Sequence, residues 1–141
     1  MKIKLIDFGA AANGRLPARQ HFRDIGADCF AQHGGVIAPN SSYSMPLGFG
    51  IELPDGYAGF IFPRTGLSKE GIVCELPPID PGYTGEVHAI ISNLNSEKAF
   101  HVEAGMRIGQ LVILPAIIPE FVTEFPDEEK RGAGAFGSTG Q

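Results

Sequence analysis

The feature that most constrains this fold is its punctuation. The chain has 141 residues, and its 19 glycines and 11 prolines are spread along the whole length. Neither residue is tolerated well inside a helix, so no long helix fits between breaks this frequent. The apolar stretches between the breaks are short. This pattern predicts about ten short strands joined by turns, and therefore an all-β sandwich or jelly roll of antiparallel strands.

The strands can be placed individually. Ile3 and Leu5 alternate with Lys2 and Lys4, as in an edge strand. Further strands are expected within 25–31, at Val36-Ile37, and over 43–45, 48–53, 59–62 and 72–76. Glu86 to Asn93 is expected to be the longest, followed by 100–102 and 107–114. Pro54-Asp55-Gly56 and Glu103-Ala104-Gly105 read as turns. Thr65 to Lys69 is the one candidate for a helical turn, with Thr65 as its N-cap. Residues 1–126 then form one domain, and 127–141 a charged linker and a glycine-rich arm.

Composition narrows the function. A net charge of −5 with no long basic run argues against a nucleic-acid polymer as partner. The N-terminus lacks the apolar stretch of a signal peptide, and no later run spans a bilayer. Cys29 and Cys74 lie far apart without metal-ligand spacing, and both sit among apolar neighbours. They read as reduced core residues, and the expected compartment is the cytoplasm.

Several short strings carry candidate chemistry. In Pro78-Ile79-Asp80-Pro81-Gly82-Tyr83 the Pro-Gly pair builds a type II turn flanked by Asp80 and Tyr83. Asp80 could serve as a general base, or only stabilise an ordinary hairpin. Arg64-Thr65-Gly66 combines a cation, a hydroxyl and free backbone N–H groups, which suits an anion as well as a plain helix start. Asp28 could meet Mg²⁺ through water, or stabilise a turn. Arg107 and Gln110, three apart in one strand, are expected on opposite faces with separate tasks. The last residues, Arg131 to Gln141, hold four glycines, one guanidinium and one ring, Phe136. Such a segment offers groups that can close over a phosphorylated, ring-bearing ligand.

Taken in order, these strings resemble the five motifs of the trimeric dUTP diphosphatases (dUTPases), from about Asp24 to Gly140. The Ile-Asp-Pro-Gly-Tyr-Thr-Gly-Glu string and the Arg-Gly-x-Gly-x-Phe-Gly-Ser-Thr-Gly tail are the most specific of the five. The resemblance implies a jelly-roll homotrimer with three sites at subunit interfaces, hydrolysing dUTP to dUMP and pyrophosphate with Mg²⁺. Asp80 would activate the water that attacks the α-phosphorus. The hairpin, with Pro78 and Ile79, would hold uracil, and Tyr83 would pack under the deoxyribose and leave no room for a 2′-hydroxyl. Arg64, Thr65, Gly66 and Gln110 would bind phosphates, and Asp28 would meet Mg²⁺ through water. From a third chain, Arg131 would reach the γ-phosphate, while Phe136 and Gly137 would close over the substrate.

Three motifs depart from the family pattern. Thr65 stands where Ser is usual, Pro77-Pro78 occupies a stretch that often has Gly with an Asn before it, and Ala135 replaces a glycine. The dCTP deaminases share the fold but use a Glu after the hairpin as proton shuttle, and Ile90 stands at that position here. A third reading is a non-catalytic trimer that binds a nucleotide or a regulatory protein.

Overall fold

Strand β10 (Arg107–Pro115) organises the chain, because it pairs with a different strand on each edge. The computed structural model describes residues 1–126. Within them β10 lies antiparallel between β2 (Ala27–Phe30) and β6 (Tyr57–Phe62). A second three-stranded sheet places β8 (His88–Asn93) between β4 (Ser41–Pro46) and β7 (Ile72–Cys74). Two smaller sheets pair β1 (Lys4–Asp7) with β5 (Phe49–Glu52), and β3 (Gly35–Ile37) with β9 (Phe100–Val102). Every named pair is antiparallel. Among the described residues a single α-helical turn, α1 (Thr65–Lys69), and one 3₁₀ turn accompany the strands.

One core unites the four sheets. Cys29, Ile37, Met45, Phe49, Ile51, Ile61, Cys74, Ile91, Val102, Ile108 and Leu111 form a continuous buried cluster. Both cysteines are free, and burial pushes Cys29 up to about 12 and Cys74 up to about 11. The expectation that they pack the core holds. So does the all-β jelly-roll class, with one short helix.

Three local expectations change. The longest strand is β10 with nine residues, whereas β8 has six and begins at His88. Glu86 instead turns its carboxylate to the Gly48 N–H, 2.9 Å away, and anchors the hairpin to the neighbouring loop. The N-cap of α1 is Arg64 in extended conformation, with no side-chain cap bond, so Thr65 is the first helical residue. Among the described residues, no helix is long and apolar enough to cross a membrane.

Candidate active site

The register of β10 against β2 decides which side chains meet. Arg107 faces Phe30, and Gly109 already faces Cys29, so a bulge lies between them. The extra residue restores the parity that a spacing of three would break. Gln110 then pairs with Asp28, and Arg107 and Gln110 stand opposite alternate residues of β2, on the same face. The expectation of opposite faces fails for that reason.

Asp28 is the centre of this face. One carboxylate oxygen lies 3.6 Å from Arg64 Nε and the other 3.5 Å from Arg107 Nε. Gln20 donates to the latter oxygen at 3.3 Å. The Asp28 side chain is 15% exposed, so two cations and an amide hold one largely buried charge. Arg107 also lies over the Phe30 ring at 5.9 Å, and Arg64 donates to the Arg107 carbonyl at 3.4 Å.

A polar cavity of about 420 Å³ opens beside this cluster, lined by Asp28, Arg64, Thr65, Gly66, Gln110 and, from the preceding loop, Gln20, Asp24, Ile25 and Gly26. Gln110 reaches across to donate to the Pro63 carbonyl at 3.0 Å, just ahead of α1. Gly26 makes room for that crossing, since a Cβ would overlap the Gln110 carboxamide. The sequence reading did not single out Gln20 or Asp24. They lie on a loop, where neither periodicity nor a charge run marks a residue as facing a cavity.

The hairpin lies elsewhere on the chain, and neither Asp80 nor Tyr83 lines that cavity. Gly82 has φ 89°, and the Tyr83 N–H donates to the Asp80 carbonyl at 3.2 Å, as a type II turn requires. Asp80 is exposed. The Tyr83 hydroxyl donates to the Glu86 carbonyl at 2.8 Å, which folds the ring back over Gly85. A Cβ on Gly85 would lie 2.7 Å from that hydroxyl oxygen.

The backbone of the hairpin is unevenly available. The Ile79 N–H and C=O both pair with Gly59, at 2.7 and 3.1 Å. Ile79 therefore has no free N–H for a ligand, and its half-buried side chain packs on the core. Pro77 and Pro78 have carbonyls but no N–H. The Glu75 N–H donates to the Ile90 carbonyl at 2.9 Å, so Ile90 directs its backbone groups toward β7. By strand alternation the His88 backbone groups face the same edge, beyond the end of β7. Arg131, Phe136 and Gly137 lie outside the described residues.

Comparison with known proteins identifies the family. The dUTPase family model matches residues 12–140. A deoxyuridine 5'-triphosphate nucleotidohydrolase of Tropheryma whipplei (strain Twist) is 42% identical over 132 residues, covering 91% of this chain and 90% of the relative. That of Clostridium tetani (strain Massachusetts / E88) is 40% identical over 146 residues, covering 100% and 97%. The fold matches a dUTPase variant from phage phi11 of S. aureus, described with a structural Mg(II) ion, at TM-score 0.81 and 23% identity, over 91% of this chain and 99% of that one. It also matches a Staphylococcus bacteriophage 80alpha dUTPase variant with dUpNHpp at TM-score 0.80 and 26% identity, over 90% and 98%. With the family model spanning nearly the whole chain and relatives this similar along at least 90% of their length, the chain belongs to the dUTPase family.

Proposed function

We propose that this protein hydrolyses dUTP to dUMP and pyrophosphate, with Asp80 activating the attacking water. The observation that carries the reading is the cluster of Asp28, Arg64, Thr65, Gly66 and Gln110 around one polar cavity. It offers a guanidinium group, a hydroxyl and an amide for a polyphosphate, with the Arg107 guanidinium beside Asp28. Phosphoryl transfer needs little more than positioning and charge neutralisation. Asp80 faces solvent and can take a proton from a water lying between it and the α-phosphorus.

The base would be read in the hairpin arch. Uracil presents acceptor, donor, acceptor along its edge. The Pro77 and Pro78 carbonyls suit the N3 proton, and the His88 N–H suits a carbonyl oxygen. Cytosine would place its N3 acceptor against a carbonyl and be rejected. Ile79 shapes the pocket through its side chain, and Tyr83 packs under the sugar.

Mg²⁺ fits the residues present. Among the described residues no group of three or more His, Cys, Asp or Glu could hold a metal by itself. Asp28 supplies hard oxygen donors at the cavity, which suits a cation that arrives on the triphosphate and keeps several waters. When bound, Mg²⁺ supplies neutralisation of phosphate charge. Arg64, Thr65 and Gln110 orient the chain of phosphates, and the site's polar lining replaces bulk water around it.

The active unit is a homotrimer whose sites are shared between chains. Two observations support this. The cavity and the hairpin sit apart on one chain, so a complete site needs more than one copy. Residues 116–126 carry Ile117, Ile118, Phe121, Val122 and Phe125, all at least 76% exposed. An open groove of about 420 Å³ lined by Ile3, Leu5, Ile51, Tyr57 and Ile113 offers apolar surface to receive such a segment. In this reading residues 1–126 are the catalytic domain and 127–141 the arm, and Arg131, Phe136 and Gly137 close a neighbouring site. Two buried free thiols suit the reducing cytoplasm, where the protein acts.

Incubation with dUTP and dCTP, with and without Mg²⁺, tests the reading. Pyrophosphate from dUTP alone is expected. Ammonia from dCTP would instead mark a deaminase, and no product from either would mark a binding module.

A further inference from the structure

Gln20 lies outside every motif described above, yet its side chain reaches the centre of the anion site. We propose that Gln20 is a positioning residue for the cation–triphosphate group. Its amide N–H fixes the Asp28 carboxylate, and its carbonyl oxygen accepts from a water carried by the divalent cation. The inference rests on the dUTP reading and extends it.

The loop that carries Gln20 is tied down on both sides. Ala18 and Asp28 exchange backbone hydrogen bonds at 3.1 and 2.8 Å. Arg19 Nε donates to the Asp24 carbonyl at 2.8 Å, and the His21 N–H donates to the Asp24 carboxylate at 3.0 Å. The Asp24 N–H donates to the His21 carbonyl at 3.0 Å. Gln20 is thus held between anchored neighbours, with Nε2 3.3 Å from Asp28 Oδ2. Among the described residues its carbonyl oxygen accepts no hydrogen bond, and the residue lines the cavity.

The charge balance gives this neutral donor a role that the arginines cannot fill. Without a ligand, Arg64 and Arg107 both face Asp28. A triphosphate carries more negative charge than a carboxylate and draws the exposed guanidinium groups toward itself. A carboxamide feels no such pull, so Gln20 keeps Asp28 in place when the arginines turn. Its planar geometry puts an acceptor at the other corner of the group. That oxygen repels phosphate oxygens but suits the strongly polarised hydrogens of water on a divalent cation.

Calorimetric titration with the non-hydrolysable analogue dUpNHpp, in Mg²⁺ and in EDTA, tests this on the full chain. The wild type is expected to bind more tightly in Mg²⁺. Gln20→Met keeps the length of the side chain and removes both polar atoms. It should cut the metal-dependent gain about threefold to tenfold, the worth of one or two hydrogen bonds, while affinity in EDTA stays within about twofold. Gln20→Ala provides the same comparison if Gln20→Met melts at lower temperature. Equal loss in both buffers would make Gln20 a direct nucleotide contact or a loop anchor and overturn the proposal. So would no loss, or a wild type that gains nothing from Mg²⁺. Failure of the wild type to bind dUpNHpp in either buffer would instead sink the dUTP reading, before any variant is compared.

Discussion

The Gln110 carboxamide occupies the space that a Cβ on Gly26 would fill. The absent side chain lets Gln110 cross between β10 and α1 and bond Pro63. Gly26→Ala should displace this flexible side chain and break that bond, at a cost of about 0.5–1.5 kcal/mol. We expect KM for dUTP to rise about threefold to tenfold, with the melting temperature lowered by only a few degrees. Steady-state kinetics beside a thermal melt checks this, and an unchanged KM would remove Gln110 from the phosphate site.

Tyr83 depends on Gly85 in a similar way, but its ring is less able to move aside. Gly85→Ala should break the hydroxyl bond to Glu86 and tilt the ring out of the arch. Discrimination between dUTP and UTP should then fall about tenfold, as one displaced contact allows. The ratio of kcat/KM for the two nucleotides is the measurement. A preserved ratio would show that Tyr83 does not exclude the 2′-hydroxyl.

Asp80→Asn keeps the shape of the turn and removes the proton acceptor. Turnover should drop by about 10²–10⁴-fold, with dUpNHpp affinity unchanged or slightly improved. Single-turnover hydrolysis beside a binding titration separates the two. Turnover close to wild type would remove Asp80 from the mechanism.

The two buried thiols predict an alkaline limit to stability. Their folded values are raised, chiefly by burial, from 9.0 to about 12 for Cys29 and about 11 for Cys74. The folded state therefore holds protons that the unfolded state releases. This contribution is fully present below pH 9 and is lost as pH rises through 11 to 12. Urea midpoints from pH 8 to 11 should fall with pH, and less steeply in Cys29→Ala. Equal slopes would deny the thiol its part.

Assembly should appear as a mass near three times 15.0 kDa in light scattering. Pairing Phe121→Asp with Phe125→Asp puts charges on the exposed apolar segment. The pair should yield folded, inactive monomer. A wild-type mass near 15.0 kDa would refute the shared site.

The sequence alone determined the fold class and the positions of the strands. Glycine and proline set the breaks, and local sterics at turns such as Pro81-Gly82 do not depend on distant residues. It also carried the ordered motifs, because each motif is a short contiguous string. Tertiary structure decided which strings meet. Side-chain parity placed Arg107 and Gln110 on opposite faces, and the bulge before Gly109, created by pairing with β2, reversed this. It likewise took the Ile79 backbone for Gly59 and brought Gln20 to Asp28. Register, bulges and loop placement come from contacts between residues far apart in the chain. Local propensity and spacing do not encode them.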